Sequence, residues 1–227
     1  MGAIMTIHAD TADISFKAGH GIYRQNDTSF FTRIADAWKD MPASTRRLIA
    51  ERPSEARLLF FVLLSDLIFF LSFSVKTVVS PTSIAQSALP DDVALLLVVA
   101  LMVRTGSIYA FSLILGLILR AFGGTGTLKD TRAGVFWGSF VSAPFEVMAA
   151  VLAVSMSSME GVMPFLSGET LSLAPLWLGL LPYIWFVSAG ATAAHGFKRF
   201  YPLFAALSLL CIVGMFWALY LRANGVI

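Results

Sequence analysis

The stretch Val93-Ala-Leu-Leu-Leu-Val-Val-Ala-Leu-Met-Val-Arg104-Thr-Gly-Ser-Ile-Tyr-Ala-Phe-Ser-Leu-Ile-Leu-Gly-Leu-Ile-Leu-Arg120-Ala-Phe122 decides the fold class. Apart from Arg104 it carries no charge before Arg120, and as a helix it is apolar on every side. Such a helix has no face to offer water. At 1.5 Å per residue, roughly 20 residues cross the ~30 Å hydrocarbon layer, so this run is long enough to span it with tilt to spare. Four further runs meet that length: Leu58 to Val79, ending before Ser80-Pro81, Ala133 to Ser155, Leu173 to Ala194, and Pro202 to Leu221. Lipid offers backbone groups no partner, so each run must be a helix. The expectation is an all-α polytopic bundle of five transmembrane helices over residues 58–221. A tail, residues 1–57, precedes it and a short end, residues 222–227, follows.

Composition points the same way. Of 227 residues, 57% are hydrophobic and 13% charged, too few polar groups to clothe a soluble domain. The net charge of +2, with acids interleaved among the bases of the tail, gives no basic surface for a nucleic acid. Cys211 is the sole cysteine, which excludes an intramolecular disulfide and a thiolate metal cluster. No apolar core of signal-peptide length occurs between Met1 and Arg57, so the first span is expected to start insertion itself and the mature chain to begin near Met1.

Orientation follows from Lys and Arg, which resist translocation. The tail carries Lys17, Arg24, Arg33, Lys39, Arg46, Arg47, Arg52 and Arg57. The second-to-third gap carries Arg120, Lys129 and Arg132, and the fourth-to-fifth gap Lys198 and Arg199. The opposite gaps hold Asp91, Asp92, Glu160 and Glu169 and no base, leaving only Arg222 against the pattern. The N-terminus is therefore expected in the cytoplasm and the C-terminus outside. Trp177, Trp217 and Tyr220 fall where an outer aromatic belt would lie. In the tail, Phe30, Phe31, Ile34 and Trp38 recur at helical spacing on a segment from Thr28 to Lys39. That stripe either lies along the membrane surface or packs on a second tail helix near Thr45 to Glu51. Residues before Asn26 read as loosely ordered.

Ionisable groups inside spans are costly, so they are the sharpest candidates for function. Lys76 stands near an outer span end and can snorkel to the headgroups. Arg104 lies about 17 Å in from the outer start of its span, and Glu146 about 20 Å from the inner start of the next. Their depths match, which ranks Glu146 first as partner of Arg104; Asp66, about 12 Å from the inner face, ranks second. Gly134, Gly138 and Ser142 form a small-residue seam on the side of Glu146 and should let another helix approach closely. Pro144 and Pro182 can kink their helices. An ion pair that only fixes helix register is the plainer reading of Arg104 and Glu146, and a proton or ion path the sharper one.

At the inner face, Lys129, Arg132, His195, Lys198 and Arg199 are candidates for contact with anionic headgroups. Gly123 to Lys129 invites comparison with a phosphate-binding loop, but it lacks the terminal Gly-Lys-Ser/Thr and a preceding strand, so a flexible turn is expected. His8, His20 and His195 have neither the spacing nor the carboxylate company of a zinc site. No nucleophile, base and orienting acid come together, so neither catalysis nor a cofactor is expected.

Three stretches taken together resemble one family: Arg52-Pro-Ser-Glu-Ala-Arg-Leu-Leu59 before the first span, Gly123-Gly-Thr-Gly-Thr-Leu-Lys129 before the third, and His195-Gly-Phe-Lys-Arg199 before the fifth. With five spans they are similar to the Yip family, the Ypt/Rab-interacting proteins, over Arg52 to Leu221, in its compact bacterial branch. The resemblance implies a five-span membrane protein. Eukaryotic members bind small GTPases and shape secretory membranes, a role that does not carry over, since no contact motif for a GTPase is identifiable here. The expected function is non-catalytic association with lipids, with a second copy of the chain or with another membrane protein, the tail serving as docking arm. The alternative is a small transporter or channel component with a polar path through Asp66, Arg104 and Glu146. An odd number of spans without internal repeats counts against it.

Overall fold

A computed structural model describes residues 29–79, 90–159 and 174–224. Within them every regular element is a helix: α1 (Phe30–Lys39), α2 (Met41–Ala50), α3 (Glu55–Val79), α4 (Pro90–Ala121), α5 (Leu128–Met159), α6 (Ala174–Ala194) and α7 (Tyr201–Ala223). The fold is all-α. Two of the long helices, α4 and α5, carry apolar stretches that are long enough to cross a bilayer, Val98–Ala121 and Leu128–Met156. In α6 and α7 the apolar stretches are shorter, Leu178–Ala194 and Tyr201–Trp217. Where five spans were expected, two stand out on this measure.

Helix α5 is the hub: α3, α4 and α6 pack around it, and α7 packs chiefly on α6. Its sequence explains the position, because different side chains face different neighbours. Gly134 and Gly138 face α6 so closely that a Cβ on Gly134 would stand 2.5 Å from the Gly190 carbonyl oxygen, and one on Gly138 would stand 2.9 Å from that of Phe186. Trp137 and Phe140 meet Phe61 of α3, at ring centroid distances of 5.0 and 5.9 Å. Phe136 meets Tyr109 of α4 at 4.7 Å. The exterior is apolar, with Met102 72%, Leu95 65% and Phe216 64% exposed, a surface suited to acyl chains rather than water.

Caps define the short elements. Asp40 ends α1 and also caps α2, its carboxylate accepting from the Ala43 amide at 2.9 Å. The two tail helices form an antiparallel hairpin held by Arg33 with Glu51 at 2.5 Å and Arg47 with Asp36 at 3.2 Å. So α1 pairs with α2 through its charged side, and the apolar stripe does not face α2 as one of the two expectations had it: Phe30 and Trp38 meet Phe140 and Phe145 of α5. Both helices also seat on the bundle, which the sequence reading did not foresee. The segment before Asn26 lies outside the described residues.

At the basic end of the bundle, α4 and α6 close with the same motif. The Gly124 amide donates to Leu119 and that of Gly123 to Arg120; the Phe197 amide donates to Thr192 and that of Gly196 to Ala193. These are Schellman closures, each needing a left-handed residue, supplied by Gly123 at φ 90° and Gly196 at φ 76°. The two turns then touch: the Thr125 amide donates to the His195 carbonyl at 3.2 Å. Thr127 opens α5 with a capping box, its amide donating to Asp130 Oδ2 at 2.8 Å while the Asp130 amide donates to Thr127 Oγ1 at 3.1 Å. The segment expected as a flexible turn is thus hydrogen-bonded from both sides.

Candidate functional site

Three of the ionisable residues singled out within apolar runs, Asp66, Arg104 and Glu146, come together in the interior, one from each of α3, α4 and α5. Arg104 Nη1 bonds directly to Asp66 Oδ1, and Arg104 Nη2 lies 3.6 Å from Glu146 Oε1. Both partners expected from sequence are present, but their order is reversed: Asp66, not Glu146, holds the guanidinium most closely. The reason lies in the face that α3 turns to α4. Asp66, Ser65 and Phe69 form one patch there; Arg104 Cζ sits 4.5 Å from the Phe69 ring centroid, and its Nη atoms reach Ser65 Oγ at 3.5 Å. The aromatic face attracts the cation there, on the same helix as Asp66.

The triad is nearly enclosed, with side-chain exposures of 18% for Arg104, 14% for Glu146 and 1% for Asp66. The second Asp66 oxygen accepts from the Thr105 hydroxyl. Ser65 donates on to the Ser139 carbonyl of α5 at 3.3 Å. Glu146 Oε2 is buried with no hydrogen-bond partner among the described residues. One cation therefore faces two acids, and the spare acceptor belongs to Glu146. Arg104, Asp66 and Glu146 were visible as charges in apolar runs; Ser65, Thr105, Ser139 and Phe69 were not singled out. An i, i+3, i+4 reading around Asp66 would have reached Phe69, and the residue next to Arg104 would have given Thr105.

The small-residue seam faces α6. Gly134 meets Gly190, Gly138 meets the backbone of Phe186 and Val187, and a Cβ on Gly179 would lie 3.7 Å from Glu146 Cα. Ser142 is buried, its hydroxyl donating to the Ser139 carbonyl at 2.9 Å. The seam lets α6 lie close enough to close Glu146 off from the α6 side.

At the basic end, the five residues expected at headgroups part company. Lys129, Lys198 and Arg199 are exposed. Arg132 is paired with Glu55 of α3 at 2.6 Å. His195 is corrected outright: at 2% exposure its ring cannot reach a headgroup. Its Nε2 lies 2.8 Å from Thr131 Oγ1, whose own proton goes to the Thr127 carbonyl at 3.1 Å, so the imidazole must donate from Nε2. Burial, helped by the Arg120 guanidinium, pushes the His195 pKa below the usual histidine value, against the opposing pull of Asp130. His195 is a neutral strut between the α6 turn and the start of α5. At the start of α5, a cavity of about 220 Å³ is lined by Arg52, Lys129 and Asp130 with Ile49, Pro53 and Ala133. The side chains of Lys76 and Trp177 lie outside the described residues, while Trp217 and Tyr220 are exposed, 6.1 Å apart at their ring centroids.

A helical bundle with an apolar exterior and a largely enclosed ionic triad in its interior is a helical protein of membrane type. The chain belongs to the Yip1 domain family, whose model matches residues 40–226. The match begins at the cap of α2, so the second tail helix lies within the domain and α1 lies before it. No curated protein and no solved structure matches the chain.

Proposed function

We propose that this protein is a five-span, multi-pass protein of a bacterial inner membrane, N-terminus in the cytoplasm and C-terminus outside, acting without catalysis by association with lipids or with other membrane proteins. The observation that supports it is how the polar interior is used. Asp66 is bonded on both oxygens, and Arg104 is held by two acids, a serine and an aromatic face, which is the pattern of a clamp between α3, α4 and α5. His195, the other buried ionisable group described at the site, ties two turns together. The charges left outward at the basic end, Lys129, Lys198 and Arg199, suit anionic headgroups of the cytosolic leaflet.

A transporter or channel component is the second reading, and the spare acceptor on Glu146 is the one observation that favours it. Ion and proton flux through purified protein in liposomes separates the two. No flux from the parent or from Glu146→Gln is expected; flux that Glu146→Gln abolishes would overturn association as the sole role. Crosslinking in native membranes then identifies the neighbours.

A further inference from the structure

The tail hairpin meets the bundle at two levels. On α5 the last charge before Glu146 is Arg132, and Phe140 and Phe145 follow it by roughly 12 and 20 Å of helix rise. The headgroup zone accounts for only about 5–7 Å on each side of the hydrocarbon, so both phenylalanines stand below it. Helix α1 touches these residues. The Phe30 ring lies 5.5 Å from that of Phe140, the Trp38 ring 5.9 Å from that of Phe145, and the Trp38 indole N–H donates to the Val141 carbonyl at 2.9 Å. Phe140 also contacts Phe61 of α3, and Phe145 contacts Phe186 of α6, so α1 runs across α5 from the α3 side to the α6 side. Helix α2 sits nearer the cytosol: Ser44 takes the Trp137 indole N–H at 3.0 Å, and Ile49 shares a cavity with Lys129, Asp130 and Ala133.

The faces of α1 sort accordingly. Phe30, Ile34 and Ala37 point to the bundle, while Arg33 and Asp36 point to α2 and pair with Glu51 and Arg47. At 3.6 residues per turn, Phe31, Ala35 and Trp38 share what remains, a stripe nearly opposite the α2 side. Phe31 is 80% and Trp38 48% exposed. With α2 above it, that stripe looks away from the cytosol. Lys39, in the last turn, is long enough to carry its ammonium back up.

We infer that α1 lies in the plane of the inner leaflet with Phe31, Ala35 and Trp38 sunk in acyl chains, making the first tail helix a lipid-embedded part of the membrane domain and not a free cytosolic arm. The inference rests on the proposed membrane crossing of α5, and the experiment separates the two. In a Cys211→Ser background, single cysteines are placed as Phe31→Cys and Ala35→Cys, with Met102→Cys on the outside of α4 and Lys198→Cys at the basic end as references. The full chain is held in phosphatidylcholine and phosphatidylglycerol nanodiscs, where both faces meet water. A thiol in hydrocarbon yields little thiolate, so both α1 cysteines should react with a charged maleimide about tenfold or more slowly than Lys198→Cys, as Met102→Cys does. Bimane attached at either position should be quenched by lipid carrying a nitroxide on its acyl chain. Maleimide reaction at both α1 sites as fast as at Lys198→Cys overturns the inference. So does protection from both maleimide and lipid quencher, which would mean a second copy or another protein covers the stripe. Fast reaction at Met102→Cys would instead refute the membrane crossing itself.

Discussion

Replacing Arg104 by Met tests whether the triad is a clamp. The substitution keeps most of the side-chain volume but removes the one cation paired with these acids among the described residues, leaving Asp66, at 1% exposure, and Glu146, at 14%, as neighbouring buried acids. Removing one partner of a buried ion pair costs about 3–5 kcal/mol, most of it the penalty on the charge left behind. Asp66→Asn is different. The amide can still meet Thr105, and Arg104 keeps Glu146 at 3.6 Å, an attraction of about 4–5 kcal/mol at an effective dielectric near 20. Its expected cost is that of one charged hydrogen bond, about 1.5–3 kcal/mol. The two changes should also couple, the double variant losing about 1–3 kcal/mol less than the single losses combined. Unfolding in mixed micelles with increasing sodium dodecyl sulfate, followed by tryptophan fluorescence and circular dichroism, measures all three. If Arg104→Met costs no more than Asp66→Asn, or if the pair is additive to within about 0.5 kcal/mol, the three side chains do not act as one unit and the clamp is refuted.

Gly190→Val should push α5 and α6 apart, since the space over Gly190 is filled by the Gly134 carbonyl and the Met41 side chain; a loss of about 3 kcal/mol and of monodisperse protein is expected by the same unfolding assay and by gel filtration. Gly106→Ala, with nothing within 4 Å, should be neutral or stabilise its helix by up to about 1 kcal/mol. Arg132→Gln breaks a pair with the half-exposed Glu55 and should change stability by less than about 1 kcal/mol in physiological salt, against the larger losses at the triad. His195, with its pKa depressed by burial, binds fewer protons folded than unfolded. Stability should be fully present above about pH 6.5 and fall as the pH drops from there through the lowered folded value, and that segment of the pH profile should vanish in His195→Asn.

Length and polarity were legible because lipid makes them decisive: a run such as Val93 to Phe122 has few other solvents. The seam of Gly134 and Gly138 was legible because a four-residue repeat of small side chains has one geometric use. Rotation about each helix axis was not. A soluble helix advertises its buried side by its polar one, whereas α3 and α4 are apolar all round, so counting residues ranked Glu146 level with Arg104 while saying nothing of which residue α3 turns toward α4. The ends hid more than they needed to. Thr127-Leu-Lys-Asp130 is a capping box in plain sight, and Gly123 and Gly196 each stand where a helix could close on a left-handed residue. What no local pattern announces is that the two closures would meet at His195, because that contact joins residues 70 apart.

The medium around α1 was hidden for a related reason. An amphipathic stripe records that one side of a helix avoids water, but protein and acyl chains satisfy it equally. What favours acyl chains is the depth on α5 of Phe140 and Phe145, the residues that α1 touches on either side of Pro144. Lacking an amide hydrogen, Pro144 leaves the Phe140 carbonyl without its helical donor and crowds the turn around it, and the Trp38 indole donates to the adjoining carbonyl, Val141. The turn around Pro144 is therefore where α1 is seated. It is also the turn that presents Glu146, two residues on, to Arg104, and Phe145 between them is gripped by Trp38 on one side and Phe186 on the other. Trp38 and Arg104 thus contact the same stretch of α5, the one through Val141 and Phe145 and the other through Glu146.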